Sequence, residues 1–317
     1  MRFDKILLAG SGKIACDCLN YILTLVYQKD ITVLETADSP LSMLRQICVK
    51  REIEYVLEQE ETEKFILNYV RKKRTLIISA NNRFIFTPTV INTPGTIIIN
   101  FHYALLPLYR GMNIPTWVIY NQEKETGVTW HYVTEKIDHG RIISQKRIEI
   151  DEKMTAFNIT RKGMVLGLES FKEFIGILLE KEIEGKMIDY PEDALVYRSS
   201  MLPMNGVLEL PLPVETVIRM LRSFDYGGAK VIPKLRIKYE NQFYLLEKYA
   251  VHDKLCKAGN RCEIQGEMLV IMENGKEVVL NVKEEKVMNN TENGGGVFDK
   301  ASWINFRFDS CGGLAFV

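Results

Sequence analysis

KILLAGSGKIA, Lys5–Ala15, decides the fold class of this chain. Its apolar run stops at Gly10-Ser11-Gly12-Lys13, and a helical pattern follows through about Tyr27. Strand, tight turn and helix in that order open an α/β unit. Working outward, Ile31 to Glu35 reads as a second strand, Ser42 to Lys50 as a helix and Glu54 to Leu57 as a short strand. Glu61 to Arg74 is a charged amphipathic helix. TLIIS at Thr75 to Ser79 and TIIIN at Thr96 to Asn100 are strands of the fully buried kind. The alternation predicts a Rossmann-like, doubly wound, mainly parallel sheet with helices on both faces.

Beyond it, Pro115 to Tyr120 suits a short helix entered through proline. Thr126 to Thr134 and Ile142 to Ile150 read as strands, and Thr155 to Lys181 as the longest helix. Met164, Leu168, Phe171, Ile175 and Leu178 give that helix one apolar stripe, suited to packing on the sheet. Composition then shifts. Tyr190 to Pro213 holds four of the ten prolines and little periodicity, a linker. A helix from about Val214 to Ser223 precedes short strand patterns at Val231 to Tyr239, Gln242 to Val251, Arg261 to Gln265, Met268 to Met272 and Lys276 to Val282. These suggest a smaller C-terminal β-barrel of OB-like type. The expected division is therefore a main α/β domain over 1–189, a linker over 190–213, a β-barrel domain over 214–288 and an Asn/Gly-rich tail over 289–317.

At 317 residues and 46% hydrophobic composition, the chain can bury a full core. Lys plus Arg equals Asp plus Glu at 41 each, and the balance holds on both sides of Met204, so neither part is a basic nucleic-acid-binding module by charge. Six cysteines form no C-x-x-C pair and only four histidines exist, which argues against a structural zinc site and for reduced thiols in a cytoplasm. The N-terminal apolar stretch is too short for a signal peptide, and no run approaches the roughly 18 apolar residues of a membrane span.

Two constellations carry chemistry. Gly10 to Ala15 reads G-x-G-x-x-A with Glu35 ending a second strand, a weak dinucleotide fingerprint whose plain alternative is an ordinary first βα turn. NFHYALLPLYRG at Asn100 to Gly111, with IDHG at Ile137 to Gly140, supplies an amide, an imidazole and a carboxylate. Acyl transfer to an amine needs those groups: a donor for the developing oxyanion, a proton carrier, and an anion to orient that carrier. Taken singly, Asn100 would be a strand-end cap, Asp138 a turn aspartate and His131 a partly buried sheet residue. His139 and His252 would face solvent. No serine sits in a nucleophile-elbow context.

Together these residues resemble a known family. NFHYALLPLYRG is similar to the N-x-H-x-S-L-L-P-x-Y-R-G signature of folate-dependent formyltransferases, and TGVTWHYVTEKIDHGRII continues the likeness in order. The resemblance runs through Tyr197 and Asn205-Gly206 and, more faintly, to about Val287 through a region similar to the barrel of methionyl-tRNA formyltransferase. It implies that 10-formyltetrahydrofolate gives its formyl group to a primary amine without a metal, with Asn100, His102 and Asp138 as the reactive triad. It implies a pterin wall of Arg83, Phe84, Ile85, Phe86 and Ile137, and an acceptor side of Tyr103, Arg110, Gly111 and His131. The chain departs from the pattern at Ala104, where the family usually has serine, and at IDHGR, which replaces I-D-T-G-D.

The implied acceptor is a small-molecule amine, a nucleotide-linked amino sugar first. Methionyl-tRNA is the competing acceptor. It is disfavoured because LETADSPLSMLRQ, after the second strand, is short and not basic, and the C-terminal part is neutral. Two readings of other classes stand beside this one: a nucleotide-binding oxidoreductase built on GSGKIA, and a non-catalytic folate-binding module. A homodimer is compatible with the chain; a membrane partner is not expected.

Overall fold

The computed structural model describes residues 2–37, 41–191, 194–254 and 260–285. The expected tail over 289–317 lies outside the described residues, as do Cys256 and Cys311.

The first half alternates as its sequence pattern predicts: β1 (Lys5–Gly10), α1 (Gly12–Ile22), β2 (Ile31–Glu35), α2 (Met43–Lys50), β3 (Glu54–Leu57), α3 (Thr62–Val70), β4 (Thr75–Ala80), α4 (Pro88–Ile91) and β5 (Thr96–His102). Then come β6 (Arg110–Gly111), α5 (Ile114–Tyr120), β7 (Glu125–Tyr132), β8 (Ile142–Glu149) and α6 (Ala156–Glu180). A seven-stranded sheet runs in the order β3-β2-β1-β4-β5-β7-β8. Its first five strands are parallel, and β7 and β8 are antiparallel. Every residue of β2 and β4 is buried, which a sheet covered on both faces requires. Alternation along β1 shows how: Ile6 and Leu8 pack with α1 and α6 residues such as Leu19, Phe171 and Leu178, whereas Leu7 and Ala9 pack with Ile66 and Val70 of α3. The α6 stripe packs on the sheet as its periodicity suggests. Thr155 caps that helix, with Asn158 completing a reciprocal capping box.

The second half contains β9 (Val196–Tyr197), β10 (Val207–Leu210), α7 (Val214–Phe224), β11 (Arg236–Tyr239), β12 (Gln242–Asp253), β13 (Arg261–Gln265), β14 (Met268–Glu273) and β15 (Lys276–Glu284). Six strands form a sheet in the order β10-β11-β12-β15-β14-β13. One face carries Leu269, Ile271, Val278 and Leu280 against Val214, Val217, Met220 and Leu221 of α7. Where the sequence suggests a small barrel, no pairing among the described residues joins β10 to β13. Val207–Leu210, assigned to the linker by sequence, is an edge strand of this sheet, parallel to β11. The strand expected over Val231 to Tyr239 is shorter, starting at Arg236 after Pro233.

The two halves meet through α5, α6 and α7. Arg222 of α7 donates from Nε to the Met154 carbonyl at 2.8 Å and from Nη2 to the Asp151 carbonyl at 3.0 Å. The Tyr226 hydroxyl lies 2.9 Å from Thr116 Oγ1 of α5. Among the described residues no helix is long and apolar enough to cross a membrane.

Candidate active site

β5 delivers Asn100 and His102 at its C-terminal end, at the level where β4 ends. Parallel strands open into a ligand crevice at that end. The strand runs two residues further than its apolar pattern suggests, so His102 belongs to it rather than to a following loop. Because β7 is antiparallel, His131 lies directly opposite Asn100. Ser79 pairs with Asn100 from the other side and donates its hydroxyl to Asn100 Oδ1 at 2.7 Å. That bond fixes the amide orientation: Oδ1 accepts, and Nδ2 faces His131 Nε2 at 3.2 Å and Asp138 Oδ1 at 3.4 Å.

His102 is 6% exposed. Its Nε2 lies 2.7 Å from the Tyr109 carbonyl, which can only accept, so Nε2 carries the proton and a neutral ring keeps its lone pair on Nδ1. Nδ1 sits 3.6 Å from Asp138 Oδ2. Burial pushes the His102 imidazole below its ordinary value, against the opposing influence of Asp138 and the Tyr109 carbonyl. Asp138 goes the other way. Burial opposes its ionisation, but the His102 and His131 rings and the Gly111 N–H, which donates to Oδ2 at 2.8 Å, hold its carboxyl well below the usual carboxylate range. The pair therefore rests as a carboxylate beside a neutral ring. His131 Nδ1 lies 2.8 Å from the Tyr132 carbonyl, and its Nε2 faces Asn100 Nδ2 at 3.2 Å and Asp138 Oδ1 at 3.4 Å.

Asp138 adopts a left-handed backbone, φ 45°, which disfavours a residue with a Cβ. Its turn is braced by Arg110, whose Nε donates to the Ile137 carbonyl at 2.9 Å. Gly140 is required on steric grounds, since an added Cβ would stand 1.7 Å from the Tyr132 carbonyl oxygen. The loop between His102 and Arg110 has its own anchor. Thr129 donates to the Ala104 carbonyl at 2.6 Å and accepts from Gln145 Nε2 at 2.9 Å, while Gln145 also donates to the Leu106 carbonyl at 3.0 Å. That network holds the loop where Ala104 lacks a hydroxyl.

A cleft of about 450 Å³ opens over these groups. Asn100, His102, Tyr103, Gly111, His131 and Asp138 line it, as do Arg83, Phe84, Ile85, Phe86 and Ile137. Arg110 is the one predicted site residue outside the wall: it is buried and supports the Asp138 turn. Ile85 and Ile137 are 72% and 47% exposed, and Phe84 and Phe86 meet edge to face at 5.5 Å. The wall thus offers apolar surface to a flat ring. Sequence reasoning missed Ser79 and Tyr109. Ser79 had a legible signal, since it ends TLIIS where Asn100 ends TIIIN.

Ser11, Gly12 and Lys13 of the glycine-rich turn also reach the cleft. Glu35, the acid a dinucleotide reading needs, does not. It is buried and accepts from the Ser42 hydroxyl at 2.7 Å and the Tyr55 hydroxyl at 2.6 Å. His252 is exposed, but His139 is half-buried with its ring stacked on Tyr190 at 4.0 Å. Among the described residues no group of three His, Cys, Asp or Glu could hold a metal ion.

Residues 24–174 match the family model described as formyl transferase, a span that includes Asn100, His102 and Asp138. This part of the chain is similar to the formyl transferase family. Over 186 residues the chain is 32% identical to the bifunctional polymyxin resistance protein ArnA of Wigglesworthia glossinidia brevipalpis, covering 55% of this chain and 28% of that protein. It is 25% identical over 255 residues to the GDP-perosamine N-formyltransferase of Brucella melitensis, covering 80% of this chain and 96% of that one. The fold matches that of the Helicobacter canadensis N-formyltransferase solved with folinic acid and dTDP-3-aminofucose, with a TM-score of 0.67, 19% identity, and 88% of this chain and 99% of that one covered. The formyl transferase region and the sheet that follows it are thus found together in that protein.

Proposed function

We propose that this chain transfers a formyl group from 10-formyltetrahydrofolate to the primary amine of a nucleotide-linked amino sugar. The observation that carries the proposal is the convergence of Asn100, His102 and Asp138 on the floor of one cleft. The apolar wall of Phe84, Ile85, Phe86 and Ile137 suits a pterin, and Arg83 lines the same cleft. The folate supplies the formyl carbon. His102 Nδ1, which keeps its lone pair, takes the proton leaving the attacking amine. Asp138 stabilises the imidazolium as it forms. Asn100 donates from Nδ2 toward the formyl oxygen as it gains charge, sharing the hydrogen it directs at Asp138. His102 then returns the proton to the folate nitrogen as its bond to the formyl carbon breaks, so that formamide and tetrahydrofolate leave with the proton balance closed. His131 and Asn100 hold each other in place. Tyr103 and Gly111 face the acceptor side, and Arg110 acts by fixing the turn.

We further propose the division 1–189, 190–213, 214–288 and 289–317, with Val207–Leu210 contributing to the C-terminal sheet, which is read as a barrel-like domain of OB type. A cytoplasmic setting is supported by Cys16, Cys18 and Cys48, which are free and buried. The sugar acceptor is supported by the GDP-perosamine N-formyltransferase, which aligns along 96% of its length. An acceptor screen tests the reading. Purified protein with 10-formyltetrahydrofolate should convert a nucleoside-diphosphate amino sugar to its N-formyl product, read by mass spectrometry. Turnover with methionyl-tRNA alone would overturn the choice of acceptor, and tight NADH binding without turnover would overturn the reaction class.

A further inference from the structure

The segment that leaves α6 returns to the Asp138 turn. The Tyr190 hydroxyl donates to the Gly140 carbonyl at 2.9 Å. Its ring stacks on His139 with centroids 4.0 Å apart and planes 22° apart. The Arg110 guanidinium lies over the same ring, 5.7 Å from its centroid, while Arg110 Nε holds the Ile137 carbonyl. Residues on both sides of Asp138 are therefore tied to Tyr190, directly or through Arg110. Further along, β9 lies beside β6, and the Tyr197 carbonyl accepts from the Met112 N–H at 2.8 Å. The Gly111 N–H is left to donate to Asp138 Oδ2.

We propose that Tyr190 is a positioning residue for Asp138. Neither Tyr190 nor His139 lines the cleft, and both meet the site through the Asp138 turn. What they govern is a turn whose central residue is in the left-handed region, a conformation that persists only when its surroundings over-determine it. The carboxylate of Asp138 reaches both His102 Nδ1 and the Gly111 N–H only while that turn holds. The histidine and arginine of IDHGR differ from the family pattern, and the histidine is used here as the platform on which Tyr190 stacks. The segment between the two halves is thereby part of the active-site scaffold.

The test uses the full chain with Y190A, Y190F, H139A and D138N, and reads two quantities. Hydrogen exchange at the Gly111 amide reports the bond to Asp138 without requiring any reaction. It should rise at least tenfold in Y190A and in D138N, with the β5 amides unchanged. In kinetics, which rest on the formyl-transfer reading, Y190A should lower kcat at least tenfold with both KM values within twofold. Y190F, which keeps the stack, should recover most of that loss. Adding Y190A to D138N should cost little more, because both act through one carboxylate. Unchanged Gly111 protection in Y190A, or an undiminished Y190A effect in the D138N background, would overturn the proposal. Should Y190A lose β5 protection as well, H139A, which removes only the stack, is read by the same two criteria. Absence of turnover with every acceptor would sink the formyl-transfer reading and leave the exchange result to decide on Tyr190.

Discussion

Two carboxylates close to the same end of the sheet are put to opposite uses. Glu35, at the end of β2, accepts from the Ser42 and Tyr55 hydroxyls, and it does not line the cleft. Asp138, in the turn after β7, has one backbone donor and two imidazoles, and it lines the cleft. The first arrangement satisfies a charge and leaves nothing over. The second keeps a charge near a ring nitrogen that can still gain a proton. Both are carboxylates with little exposure, so the neighbours decide which of them can do chemistry.

The contrast can be broken most sharply at Asp138. D138N should lower kcat by about 10³-fold, the scale expected when an acid–base partner and its charge are lost together. A rate within threefold of the parent in a steady-state assay would remove Asp138 from the mechanism. The pH profile comes next. His102 is depressed below its ordinary value, so the base is free at neutral pH and becomes protonated only on acidification. kcat/KM should be level above neutrality and then fall about tenfold per pH unit on a single acid limb. Asp138 remains ionised across that range and adds no limb of its own. F84A, which strips the apolar wall, should raise KM for the folate about tenfold with little change in kcat, consistent with loss of ~1.5–3 kcal/mol of buried aromatic surface. The smallest catalytic effect belongs to Glu35. E35Q should change kcat less than twofold while lowering stability by roughly 1–3 kcal/mol through its hydrogen bonds, measured by denaturant unfolding. A large kcat loss with intact stability would erase the distinction between the two carboxylates.

How much of this was legible in sequence follows from the physics of each element. The parallel strands announce themselves because they are buried on both faces, so ITVLE and TLIIS are apolar throughout. α6 shows because its stripe, Met164 to Leu178, runs for about four turns. Asn100, His102 and Asp138 were legible as a constellation through resemblance, since a turn aspartate looks alike whether or not it meets a histidine 36 positions earlier. Arg110 was misjudged in role for the same reason: its type suggests a ligand, but its place is behind the wall. β10 was hidden inside a proline-rich stretch, because a four-residue parallel edge strand has no local hairpin to mark it. β6 and β9 pair over only two residues each, below what any periodicity can register. Tyr190 belongs to the same class, since its partners are set by chain return rather than by spacing.

The Thr129–Gln145 support beneath Ala104 has a bearing on how relatives of this chain are recognised. A search keyed to a hydroxyl at the fifth position of the signature would pass over this protein. A search keyed to a hydroxyl on β7 that reaches that carbonyl would retrieve it, along with any sequence that anchors this loop from β7.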